Sequence, residues 1–136
     1  NDRYKLIENL QPGEEDPGYE FTVQRFFGQQ VLAALPKAPK AIQDAYALMK
    51  RPPRYQLYDL QADPYEFVNL AGDPAHRAVR DELSNELTRW RRATRDPLLN
   101  PENVTRLKAE IDGIRKGDDF SKSKIGQWKY PDYFFN

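Results

Sequence analysis

The chain has 136 residues, 21 basic and 21 acidic side chains, and no cysteine. That length suits one domain with a real core, and a net charge of zero argues against coating nucleic acid or an anionic membrane. Without Cys there is no disulfide framework, thiolate metal site or cysteine nucleophile, and no apolar run nears the roughly 18 residues of a membrane span.

Nothing resembles a signal peptide, and Asn1 in place of Met fits a processed or cut product. Apolar residues make up 39% and charged residues 31%. Eleven prolines imply many forced turns and helix starts. Eight Tyr, seven Phe and two Trp can anchor a compact core. The expectation is a loop-rich α+β domain of short elements.

In chain order, residues 3–10 read as a strand with Tyr4, Leu6 and Leu10 on one face, interrupted by Glu8. Gln11-Pro12-Gly13 stops it, and Glu14-Glu15-Asp16-Pro17-Gly18 reads as a solvated acidic loop. Tyr19 to Val23 alternates like a strand, and Val31 to Leu35 fits a helical turn closed by Pro36 and Pro39. Residues 40–50 read as a helix, because Ile42, Ala45, Tyr46 and Met49 recur at helical spacing. Pro52-Pro53 ends it.

Residues 54–60 form a second strand with apolar side chains on both faces, which predicts cover on both sides. Tyr58 and Leu60 are expected to pack one of those faces. Asp63-Pro64-Tyr65-Glu66 is a helix-start pattern, with Asp63 as cap and about one turn to follow before Gly72. Asp73-Pro74 repeats the device ahead of a long helix over about 74–94. Its stripe is Val79, Leu83, Leu87 and Trp90. Asp96-Pro97 ends that helix. Asn100-Pro101 starts another, with Val104, Leu107, Ile111 and Ile114 on one face and Gly117 as its stop. Trp128, Tyr130, Tyr133, Phe134 and Phe135 crowd residues 124–136, as in a tail that docks.

Chemistry is sparse. His76 is the only histidine and lies off the stripe of its helix, so a surface role outweighs a catalytic one. Glu14-Glu15-Asp16 and Asp118-Asp119 sit in polar turns, where carboxylates stay ionised and solvated. Ser84, Ser121 and Ser123 stand in no nucleophile elbow, and the glycines fit no phosphate loop. The clusters Lys50-Arg51-Arg54 and Arg89-Arg91-Arg92-Arg95 could bind sulfate or phosphate, but helix-dipole and solubility roles suit them better. Asn103-Val104-Thr105 matches the glycosylation acceptor pattern. The residues alone supply no catalytic constellation.

The order of segments resembles the C-terminal part of sulfatases, in particular the heparan N-sulfatase (N-sulfoglucosamine sulfohydrolase) branch. The residues that carry the likeness are Arg3-Tyr4-Lys5-Leu6-Ile7, the block from Gln56-Leu57-Tyr58-Asp59-Leu60 through Asp63-Pro64-Tyr65-Glu66 to Asn69-Leu70-Ala71, then Asp73-Pro74 and the helix ending Leu87-Thr88-Arg89-Trp90. The resemblance implies a small antiparallel sheet packed against a long amphipathic helix, plus additional helices. Residues 1–97 would form that sulfatase C-terminal-like domain, with 98–136 as a helical and aromatic extension packed on it. It also implies a large N-terminal catalytic domain elsewhere, with a formylglycine made in a C/S-x-P-S-R motif and a bound calcium. That motif is absent here, and Asp118-Asp119 follows a helix instead of an early strand. No catalytic, cofactor-binding or metal residue is therefore assigned to this chain.

The expected role is that of a sulfatase C-terminal part without hydrolase activity of its own, supporting the substrate pocket of a parent that cleaves sulfate esters or sulfamates on carbohydrate. Expected partners are the catalytic domain of the same protein, a sulfated glycan, and a second copy through an exposed apolar face near residues 19–35 and 124–136. Nucleic acid and a membrane span are not expected. The compartment implied by the resemblance is secreted, periplasmic or lysosome-like. The alternatives are a non-enzymatic module for an anionic glycan, using the arginine clusters, and an interaction domain that works through the aromatic tail.

Overall fold

The structure is a computed structural model that describes residues 2–16, 18–19, 28–115, 129–130 and 132. Strand β1 is Tyr4–Glu8 and helix α1 is Gly28–Ala34, followed by a 3-10 turn at Leu35–Lys37. Helix α2 is Lys40–Lys50 and strand β2 is Tyr55–Asp59. A 3-10 turn at Pro74–His76 leads into helix α3, Arg77–Ala93. Another at Pro97–Leu99 precedes helix α4, Pro101–Arg115. The protein is α+β, with four α-helices and a two-stranded antiparallel sheet among the described residues. It divides into two compact units, residues 1–86 and 87–136.

The first unit is organised around the sheet. Tyr4 lies opposite Asp59, Leu6 opposite Leu57 and Glu8 opposite Tyr55. Side chains alternate between the faces of a strand, so Tyr4, Leu6, Tyr55 and Leu57 share one face. Leu57 is fully buried there with Ala71 and with Leu83 of α3, and Leu70 and Val79 pack around them. Burying a leucine of this kind stabilises a fold by roughly 1.5–3 kcal/mol. The sequence reading placed Tyr58 and Leu60 on one face of β2; Tyr58 is buried there, with its hydroxyl 3.3 Å from Gln56 Oε1, and Leu57 is the fully buried residue of the other face. Both faces of β2 are thus covered, as expected.

The outer edge of β2 is closed by Asn69. Its Oδ1 accepts from Leu57 N–H at 2.9 Å, and its Nδ2 donates to the Tyr55 carbonyl at 3.2 Å. Leu70 N–H donates to the Leu57 carbonyl at 2.8 Å. Asn69 Oδ1 also accepts from Ala71 N–H at 3.0 Å. One side chain therefore does the work of a short third strand, satisfying backbone groups that would be costly to leave bare.

The expected helix starts at Asp73-Pro74 and Asn100-Pro101 form, and Asp96-Pro97, expected to end α3, also opens a 3-10 turn. Asp73 accepts from Ala75 N–H, Asp96 from Leu98 N–H and Asn100 from Glu102 N–H, at 2.9, 2.9 and 3.0 Å. Asp63-Pro64 makes the single turn expected of it, with Glu66 N–H on the Asp63 carbonyl at 3.1 Å, while Asp63 Oδ2, expected to cap that turn, accepts from Val68 N–H at 2.7 Å. Glu66 sits at φ 59°, which breaks any helix there.

In the second unit, α3 ends in a Schellman-type turn. Asp96 N–H reaches the Arg91 carbonyl at 2.8 Å, Arg95 N–H reaches that of Arg92 at 3.2 Å, and Arg95 occupies the left-handed position at φ 55°. The nearly buried Arg91 donates from Nε to Asp96 at 2.7 Å. The expected stripe is broken here, because Trp90 is 62% exposed while Leu83 is buried in the first unit. Gly18 and Tyr19 have helical backbone, so the strand expected from Tyr19 does not begin there. Its remainder, the Gly117 stop, Asp118-Asp119, Ser121, Ser123 and most of the aromatic tail lie outside the described residues.

Candidate functional site

Two features of the first unit stand out, a polar knot at one end of the sheet and an open groove beside β2. The knot forms where β1 begins and β2 ends. Arg3 donates from Nε and Nη2 to Asp59 Oδ2, at 3.0 and 2.6 Å. Asp59 Oδ1 accepts from the N–H groups of Gln61 and Ala62, at 3.1 and 3.3 Å. The Arg3 hydrogen bond holds the Asp59 carboxyl below its ordinary value against the opposing effect of burial, and the two N–H groups reinforce it. The Arg3 guanidinium also lies 4.9 Å from the centre of the Tyr4 ring.

His76 adjoins this knot. Its Nδ1 is 2.8 Å from Asp73 Oδ2, and its ring meets Tyr4 edge-on with centroids 6.1 Å apart. The Ala75 N–H, then His76, hold the Asp73 carboxyl below its ordinary value. The only histidine is therefore tied to a helix start and an aromatic contact, with its side chain 25% exposed. These are folding devices.

The groove has a volume of about 780 Å³. Its walls are Leu48 of α2, then Pro53 and Tyr55, then Phe67, Val68 and Ala71. Arg54, Asp44 and Asn69 are the main polar groups along it. The Asn69 hydrogen bonds fix one wall, since they clamp residues 69–71 to β2. Charges at the groove are already paired. Arg54 Nη2 meets Glu8 Oε1 at 2.6 Å, and Lys40 pairs with Asp44 one helical turn on. Such a surface suits apolar contact, and among the described residues no Ser, Thr, Cys, Lys or His lines it.

The other residues singled out in the sequence are dispersed. Glu15 pairs with Arg51 at 3.2 Å and Lys50 at 3.6 Å, so that loop is bridged to α2. Asp16 Oδ1 accepts from Gly18 and Tyr19 N–H. Ser84 is half-buried on α3. Asn103 donates from Nδ2 to the Pro97 carbonyl at 2.9 Å within the first turn of α4, so this glycosylation pattern lies in a helix. The cluster at 50–54 is consumed by Glu15 and Glu8, and in the cluster at 89–95 Arg91 is held by Asp96. Among the described residues no three His, Asp or Glu side chains converge to hold a metal ion. Burial pushes the Tyr58 phenol up, with the Glu66 and Asp63 carboxylates adding to it.

Asn69 is the structurally decisive residue to which the sequence reading, naming it only within the block that carries the resemblance, gave no physical role of its own. Beyond that block, a polar amide between Val68 and Leu70 is its local signal, since Asn is disfavoured in strands.

Comparison with known proteins gives a consistent answer. An ulvan-active sulfatase of Formosa agariphila is 30% identical over 105 residues, covering 74% of this chain and 17% of that protein. The N-sulphoglucosamine sulphohydrolase of Homo sapiens is 41% identical over 56 residues, covering 40% of this chain and 11% of that protein. A multifunctional alkaline phosphatase superfamily protein of Trinickia caryophylli is 44% identical over 53 residues, covering 35% of this chain and 10% of that protein. The matched stretch thus spans a fifth or less of the curated relatives. No family model matches the chain, and no solved structure does. The chain is related to the sulfatases.

Proposed function

We propose that this chain is the C-terminal part of a sulfatase that hydrolyses sulfate esters or sulfamates on carbohydrate, and that its role is structural support of the catalytic part. Residues 1–97 are the sulfatase C-terminal-like domain in this reading, and 98–136 an extension of it. The observation that carries it is the set of sulfatase likenesses, each confined to a fifth or less of a longer protein.

The chemistry of the residues agrees. A formylglycine needs a Cys or Ser in the C/S-x-P-S-R motif, and the chain has no Cys and no serine in that setting. Hard-cation sites need several converging carboxylates, and the described residues offer no such group. The chain has no residue from which that formylglycine could form, and no group among the described residues fits a calcium, so no step of hydrolysis is routed through them. Both are proposed for the catalytic part, in a secreted, periplasmic or lysosome-like compartment. The alternative of an anionic-glycan module draws little support, because Lys50, Arg51, Arg54 and Arg91 already face carboxylates.

Among the described residues, no helix is long and apolar enough to cross a membrane. The test is the coding sequence upstream of Asn1. A C/S-x-P-S-R motif in the same reading frame is the expected finding, and a frame that holds no such motif refutes the reading.

A further inference from the structure

We draw no further inference here: the strongest candidate, the open groove between α2 and residues 67–72 with Val68 exposed on its wall, is a largely apolar surface whose lining charges are already paired, and nothing in the structure shows what covers it.

Discussion

Residues 63–72 and 73–83 open on the same dipeptide, Asp-Pro, and take different paths. After Asp73, the side chain caps Ala75 N–H and the chain runs into α3, which lays Val79 and Leu83 on the core. After Asp63, the carboxylate reaches five residues on to Val68, Glu66 turns left-handed, and the chain runs along β2. The dipeptide offers the same capping groups in both. What differs is the tertiary claim on the residues that follow, since Asn69 and Leu70 hydrogen-bond the edge of β2, and a helix cannot reach it. A capping pattern therefore marks a turn, and the partner of the next few residues decides whether the turn propagates.

The comparison can be broken most severely at the residue both segments close over. Leu57→Ala should destabilise the first unit by about 3 kcal/mol, within the usual range for a buried leucine. Urea denaturation checks it, and a midpoint unchanged from wild type would mean that Leu57 is not the centre of the core. Next, Asn69→Ala strips the β2 edge of its partner and should cost about 2 kcal/mol, the penalty of leaving Leu57 N–H unsatisfied. Hydrogen exchange should quicken at Leu57 and over 69–71 and stay slow over residues 79–86. Equal loosening of both segments would show that the clamp is not specific to the first.

Acid titration separates the two paths further. Asp59 and Asp73 have carboxyl pKa values lowered from 3.8, Asp59 by Arg3 first and Asp73 by Ala75 N–H first. A lowered folded value means the stabilisation is complete above about pH 4 and disappears as pH falls through the folded values. The melting temperature should thus be flat near neutrality and fall steadily below about pH 4. Asp59→Asn should flatten that fall, and an unchanged acid slope would remove Asp59 from the account. The smallest effect is expected at Glu66. Glycine relieves the left-handed backbone by about 1 kcal/mol but deletes the Lys5 pair at 2.8 Å, worth about 0–1 kcal/mol at an exposed site. Thermal melts of Glu66→Gly should lie within about 1 kcal/mol of wild type on the stable side. A large loss would show that the ion pair, and not Asn69, holds this segment.

Much of the fold is legible in the sequence, because its signals are local. The period-two strand at Tyr4–Glu8, the proline-bounded helix Lys40–Lys50 and the helix starts at Asp73-Pro74 and Asn100-Pro101 need only neighbours to be recognised. The illegible parts depend on contacts distant in sequence. That Leu57 is the fully buried centre follows from its register with Leu6 and its contact with Leu83, which no local pattern shows. Trp90 continued the helical stripe in sequence but is mostly exposed, since periodicity marks a face without saying how far its cover extends. Asn69 carried no periodicity at all. The groove was invisible for the same reason, as its two walls lie about 20 residues apart and meet only through β2.

The central claim is that a sulfatase-related chain folds through these contacts while its chemistry lies elsewhere. Release of the aryl alcohol from an aryl sulfate, measured on this chain with and without calcium, tests it most directly. The account predicts no turnover above buffer in either condition. Calcium-dependent hydrolysis that scales with chain concentration would contradict it.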